Sequence, residues 1–122
     1  MLPSSKNMNT LLTSENVKLL YKTLTKLPPF THLSMPEAHK VNFVIIRDPS
    51  VYGLFEPEPL TISISSGRCG HFETIIKTLM HEMVHLHCYC NKEDNYEEHS
   101  NKLFKKIIKQ CAELYGFDPK EL

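Results

Sequence analysis

The chemistry suggested by this chain begins with a histidine pair in the run His81-Glu82-Met83-Val84-His85. On an α-helix, residues four apart lie about 40° apart around the axis and one turn along it, so both imidazoles point the same way. Two such nitrogens can bind one Zn²⁺ ion. Glu82 lies about 100° further round the helix, within reach of a water molecule at the metal. The spacing therefore predicts a zinc site with Glu82 as its general base.

A catalytic zinc site normally uses three protein ligands, so the histidine pair needs a third. His99 is the preferred candidate, because it lies near the start of the last predicted helix and an antiparallel return would bring it back to the metal. Glu97 and Glu98 are the competitors, since zinc also accepts carboxylates. For stabilisation of an oxyanion, the sequence offers three candidates: Tyr96, His71 and Arg68.

The helix that carries the histidine pair is predicted from about His71 to Tyr89. Its apolar residues form one stripe at helical spacing: Phe72, Ile75, Ile76, Leu79, Met83 and Leu86. Thr78, Cys88 and the two histidines share the opposite face. We therefore expect the apolar side to pack on the core and the histidine side to look outward into a cleft.

Hydrophobic periodicity also predicts the elements around this helix. They are a helix from about Thr13 to Lys26, strands near 41–47, 52–55 and 60–65, and a last helix from about Tyr96 to Tyr115. The order helix, three strands, helix, helix predicts an α+β fold. Residues 1–12 are expected to be a flexible N-terminus, and residues 13–122 a single domain. Strand 60–65 leads directly into the histidine helix, so we expect its edge to hold a substrate as an added strand.

Composition limits the partners of the chain. Fourteen Lys and Arg balance fourteen Asp and Glu, which argues against a dedicated nucleic-acid domain with a strong basic excess. A neutral net charge does not exclude a local basic patch, and the last helix places four lysines on one stripe: Lys102, Lys105, Lys106 and Lys109. This stripe is either a solvated face opposite the core or a surface that contacts DNA. A shorter stripe, Lys18, Lys22 and Lys26, lies on the first helix.

The sequence shows neither a membrane-spanning apolar run nor the apolar core of a signal peptide at its start, which predicts an intracellular protein of the cytoplasm or nucleus. The four cysteines form no CxxC pair, so they do not indicate a zinc ribbon. They are expected to be free thiols, some of them packed as small apolar side chains. We expect a monomer without membrane contact.

The run from Thr78 to His85, followed by Glu98-His99 and a basic-apolar helix, resembles the SprT-like zinc metallopeptidases, which include the DNA–protein crosslink protease Spartan. The resemblance covers about residues 41 to 108. It implies a minimal zincin-like domain that hydrolyses peptide bonds of protein substrates, with DNA-associated proteins among the candidates. It assigns one zinc ion to His81, His85 and His99, and the role of general base to Glu82.

Two positions depart from the family's pattern. Ser100 follows the third histidine, where the family usually has glycine, and Leu103 stands where it has an aromatic residue, with Phe104 one position further on. Two alternatives to an active peptidase remain. One is a non-catalytic, zinc-stabilised module that binds protein or DNA, and the other is a protease held inactive until DNA or a partner opens its cleft.

Overall fold

The computed structural model describes residues 12–122. Within that range the chain forms three α-helices and three strands: α1 (Ser14–Thr25), β1 (Asn42–Ile46), β2 (Gly53–Glu56), β3 (Thr61–Ser65), α2 (Phe72–Cys90) and α3 (Lys102–Tyr115). The predicted α+β fold is confirmed. The segment predicted to be a flexible N-terminus lies outside the described residues, apart from Leu12, whose side chain is buried.

The three strands form one mixed sheet in the order β1-β3-β2. β3 is parallel to β1 and antiparallel to β2, which precedes it across a short turn. Because β3 lies in the centre, its backbone is paired on both sides. The expectation that the edge of strand 60–65 receives a substrate is therefore wrong, and among the described strands the open edges belong to β1 and β2.

The core lies between the sheet and the helices, with α2 at its centre. Ile75, Leu79 and Met83 of α2 are fully buried together with Ile62 and Ile64 of β3. These positions recur at the helical period in α2 and at the strand period in β3, so each element turns one apolar face to the other.

Helix α1 covers the β1 end of the sheet. Its cap is Thr13, whose hydroxyl oxygen accepts a hydrogen bond from the Asn16 backbone N–H at 3.1 Å. The ring of Tyr21 lies 5.2 Å from the ring of Phe43 on β1, and its hydroxyl donates to the Pro36 carbonyl at 2.6 Å. Within residues 12–122, no helix has both the length and the apolar character that a membrane crossing requires.

The last helix begins at Lys102 rather than near Tyr96. Asn101 is the N-cap residue of this helix, because its side-chain oxygen accepts a hydrogen bond from the Phe104 backbone N–H at 2.9 Å. Residues 91–101 therefore form a connection without a regular helix, here called the 91–101 loop. His99 lies in this loop and not on α3.

Candidate metal centre

Three imidazoles converge at one point. His81 and His85 project from successive turns of α2, and His99 reaches them from the 91–101 loop. The Nε2 atom of His81 lies 3.1 Å from Nε2 of His99 and 3.2 Å from Nε2 of His85. Nitrogens bound at 2.0–2.1 Å to a tetrahedral zinc ion lie about 3.3 Å apart. The donor atoms therefore fit a single zinc ion.

A backbone carbonyl orients His85. Its Nδ1 atom lies 2.8 Å from the carbonyl oxygen of Tyr96. A carbonyl oxygen only accepts hydrogen bonds, so Nδ1 carries the ring proton and Nε2 is left with the lone pair that a metal needs. Contacts of this kind fix the tautomer and the ring orientation of metal-binding histidines.

The ring of Phe104 packs against all three imidazoles. It stacks on His85 at 4.5 Å and on His99 at 5.2 Å between ring centroids, and it meets His81 edge-on at 5.2 Å. Phe104 is buried in the first turn of α3. The aromatic residue that the resemblance leads us to expect at position 103 thus stands one position later, and Leu103 is only partly buried.

Burial keeps two of the imidazoles neutral. Desolvation, followed by the charges that His85 and His99 would carry, lowers the pKa of His81 to about 4. Desolvation also lowers the pKa of His85. Histidine binds metal in its neutral form. Both helix histidines are therefore in the metal-binding state at neutral pH.

Glu82 follows His81 directly on α2, and only 6% of its surface is exposed. Desolvation raises the pKa of its carboxyl group to about 8 in the metal-free protein. A cation at the histidine cluster would favour the ionised form and lower that pKa again. The pKa of the Glu82 carboxyl group is therefore set by two opposing effects, burial and the charge of any cation held by the histidines.

The histidine face of α2 is more enclosed than expected. Thr78 and His81 line a cleft, as predicted, but Thr78, His85 and Cys88 are buried, and neither His85 nor Cys88 lines that cleft. The 91–101 loop and Phe104 cover this side of the helix. Conversely, Phe72, which was placed on the apolar stripe, is 52% exposed because it stands at the very start of α2.

A cavity of about 690 Å³ opens beside this cluster. One wall is the N-terminal half of α2, and another is the turn at Pro119–Glu121, which a 2.6 Å ion pair between Lys77 and Glu121 holds against the helix. The cavity is lined by Tyr52, Arg68, Glu73, Thr74, Lys77, Thr78, His81, Glu82, His99, Lys120, Glu121 and Leu122. His81, Glu82 and His99 are thus accessible from one space.

Of the three oxyanion candidates, Arg68 is in the wall of this cavity. Its guanidinium lies 4.3 Å from the ring centroid of Tyr52 and donates to the Pro49 carbonyl at 3.2 Å. Tyr96 instead packs against the rings of Phe55 and Tyr89. His71 is the N-cap residue of α2 and makes no side-chain capping bond.

The competing ligands do not join the cluster. Glu97 and Glu98 are exposed, and the group of metal-binding atoms in residues 12–122 consists of the three histidines. One contributor to the site could not be seen in the sequence: the Tyr96 carbonyl is a backbone group, which no residue type reveals. Phe104 is the aromatic residue next to the expected position, but its contact with the imidazoles is seen only in the structure.

Gly53 provides the space that Glu82 occupies. A Cβ atom at this position would lie 2.7 Å from the Ser63 carbonyl oxygen, 2.7 Å from Cγ2 of Thr78 and 3.3 Å from Oε2 of Glu82. We expect Gly53→Ala to lower the free energy of unfolding by about 1–3 kcal/mol, because the backbone cannot yield. Urea denaturation measures this, with Gly70→Ala as the control, since a Cβ there meets nothing within 4 Å. Equal stability of the two variants would contradict the prediction.

Comparison with known proteins adds one finding. The model of the SprT-like family matches residues 34–121, a stretch that includes the sheet, α2, the 91–101 loop and α3. No curated protein and no solved structure shows a significant match. The match extends over well over half of the chain and contains all three clustered histidines and Glu82. The chain therefore belongs to the SprT-like family.

Proposed function

We propose that this protein is a zinc-dependent endopeptidase that hydrolyses peptide bonds of protein substrates. The observation that carries the proposal is the convergence of three imidazole nitrogens close to a buried glutamate, with His81, His99 and Glu82 in the wall of one cavity. Membership of the SprT-like family supports it, because the domain is metallopeptidase-like. DNA-associated proteins are among the candidate substrates.

In this proposal His81, His85 and His99 hold the zinc ion. When bound, zinc acts as a Lewis acid that polarises a carbonyl group and lowers the pKa of water. Glu82 accepts the proton of the attacking water molecule and passes it to the leaving amine. The enclosure of Glu82 strengthens its electrostatic interactions, because little solvent screens them.

The open edge of β2 offers a place for the peptide substrate. The Ser65 backbone N–H donates to the Tyr52 carbonyl, so the alternation of an antiparallel ladder directs the polar backbone groups of Gly53 and Phe55 away from β3. Gly53 also lies directly against Glu82. A peptide added as a strand along β2 would therefore run beside the general base.

Zinc content and casein cleavage test the function. The wild-type protein and a Glu82→Gln variant are compared at equal zinc content, with and without DNA. Cleavage by the wild type alone supports the peptidase. If the protein's role in the cell does not require Glu82, a zinc-loaded Glu82→Gln variant will replace the wild type there. That result would favour the non-catalytic, zinc-stabilised binding module instead.

We further propose that α3 contacts DNA through Lys102, Lys105, Lys106 and Lys109. All four lysines are exposed on the outer side of α3, opposite its buried positions Phe104, Ile107, Ile108, Cys111 and Ala112. Their helix follows directly after the loop that carries His99. DNA held there would lie close to the loop and bring DNA-bound proteins towards the cavity.

The double variant Lys105→Glu and Lys106→Glu is expected to weaken DNA binding. Each lost phosphate contact reduces the slope of log affinity against log salt by about 0.9, so the slope should fall by about 1 to 2. Fluorescence anisotropy at several salt concentrations measures it. The control is Lys22→Glu with Lys26→Glu, which changes the net charge equally on another helix. Equal weakening by both pairs, or no binding at low salt, would contradict the α3 surface.

A further inference from the structure

We infer that Asn101 is a positioning residue for the metal centre, whose carboxamide fixes the 91–101 loop so that His99 reaches the two histidines of α2. The inference rests on the zinc site of the proposed function, but not on its peptidase activity. Asn101 is 2% exposed, although it carries a polar side chain next to the exposed Ser100.

Both ends of this carboxamide are engaged. Its oxygen accepts the hydrogen bond from the Phe104 backbone N–H that starts α3. Its Nδ2 atom donates to Oδ1 of Asn95 at 2.6 Å and to Oε1 of Glu93 at 3.3 Å. A side-chain amide offers two donor hydrogens and one oxygen, so each part of the group has a partner in this buried position.

These bonds join the two ends of the loop. Glu93 and Asn95 stand shortly after α2, and Phe104 stands in the first turn of α3, so one side chain ties the start of the loop to its end. Between the tied points the side chains of residues 97–100 are exposed, and the loop's own backbone bonds run from Glu98 to Asn95 and from Asn101 to Glu98.

Two contacts of the metal centre depend on the segment that is held in this way. His99 brings the third imidazole, and the Tyr96 carbonyl accepts the hydrogen bond of His85. Both lie between Asn95 and Asn101. Release of the Nδ2 bonds would therefore move a ligand and an orienting group together, while the cap of α3 depends on the oxygen alone.

That division allows capping and positioning to be separated. Asn101→Asp keeps an oxygen for the Phe104 N–H and nearly the same volume, but it replaces the donor by an oxygen that faces both the Asn95 amide and the Glu93 carboxylate. The Asn95 amide can turn its NH₂ group towards this oxygen, whereas the Glu93 carboxylate can only repel it. We expect α3 to form and the zinc affinity to fall about 10–100-fold, as for other partners that orient metal ligands. Adding Glu93→Gln supplies an amide donor to the introduced carboxylate and should restore the affinity to within a few-fold. Glu93→Gln alone keeps an acceptor oxygen and should change little.

The experiment measures the zinc dissociation constant of each folded, metal-free protein by competition with a chromophoric chelator. The visible absorption of the Co²⁺ form reports the coordination geometry. Thr13→Ala is the stability control, because it removes the N-cap of α1 and should lower the Tm without changing the zinc affinity.

The outcomes are distinct. A loss of zinc affinity with Asn101→Asp that Glu93→Gln reverses supports the inference. Unchanged affinity, or a loss equal to that of Thr13→Ala, overturns it and leaves Asn101 a helix cap only. A wild-type protein that binds zinc but does not cleave casein defeats the peptidase proposal without touching this one, whereas a wild-type protein that does not bind zinc overturns both.

Discussion

The Glu82→Gln variant is expected to bind zinc as the wild-type protein does and to lose peptide hydrolysis by at least about 100-fold, up to about 10,000-fold, the range that general acid–base catalysis supplies. The amide is nearly isosteric with the carboxyl group, so it fits the enclosed space between Gly53 and α2. It cannot accept the proton of a water molecule or return it to a leaving amine. The loss should therefore fall on kcat rather than on metal content.

Measurement of casein cleavage must be combined with metal analysis of the same samples, because loss of zinc would also abolish hydrolysis. Glu113→Gln is the matched control, since it makes the same chemical change at an exposed position of α3. It should cleave casein at the wild-type rate. If Glu82→Gln with full zinc content cleaves casein as fast as the wild type, the assignment of the general base is wrong.

The histidine helix could be predicted from the sequence almost to the residue. Its expected range of about His71 to Tyr89 compares with Phe72–Cys90 in the structure. A long apolar period of 3.6 residues leaves little freedom in where such a helix lies. The convergence of His81 and His85 follows from the same period, since side chains four residues apart share a face whatever the surroundings.

The start of α3 could not be predicted from the same kind of pattern. Tyr96, Glu97 and Glu98 are compatible with a helix, and the periodic region extends back to them. In the structure the helix begins only after Asn101. Asparagine favours the N-cap position, so this residue could have indicated where the helix begins. Its choice as the cap depends on its burial against Glu93 and Asn95, which are brought there by tertiary folding.

Sheet order and the orientation of His85 are also consequences of tertiary structure. The alternation in residues 60–65 predicts a strand but does not say whether one or two neighbours pair with it, and β3 has two. The Tyr96 carbonyl that orients His85 is a backbone group, so any residue type at that position would offer it. Local patterns therefore predicted the helices, the strands and the candidate ligands, but not the order of the strands or the backbone group that orients His85.

His99→Ala is expected to weaken zinc binding by more than about 100-fold, beyond the range found when only an orienting partner is lost. Its Nε2 atom lies 3.1 Å from that of His81, and its removal leaves two protein ligands on a single helix. Glu97→Gln combined with Glu98→Gln should retain the wild-type affinity, because both carboxylates are exposed outside the histidine cluster. Chelator competition measures all of these affinities.

Tm values measured with and without zinc distinguish the loss of a metal ligand from damage to the fold. A ligand present at 100 times its dissociation constant stabilises the folded state by about 2.7 kcal/mol, so zinc should raise the Tm of the wild-type protein and of the double glutamine variant. At the same zinc concentration the Tm of His99→Ala should rise much less, while its metal-free Tm stays close to that of an exposed-histidine control, His32→Ala. The reverse pattern, zinc stabilisation kept by His99→Ala and lost in the double variant, would assign the third ligand to a carboxylate. In that case the metal would join the 91–101 loop to α2 through the carboxylate of Glu97 or Glu98.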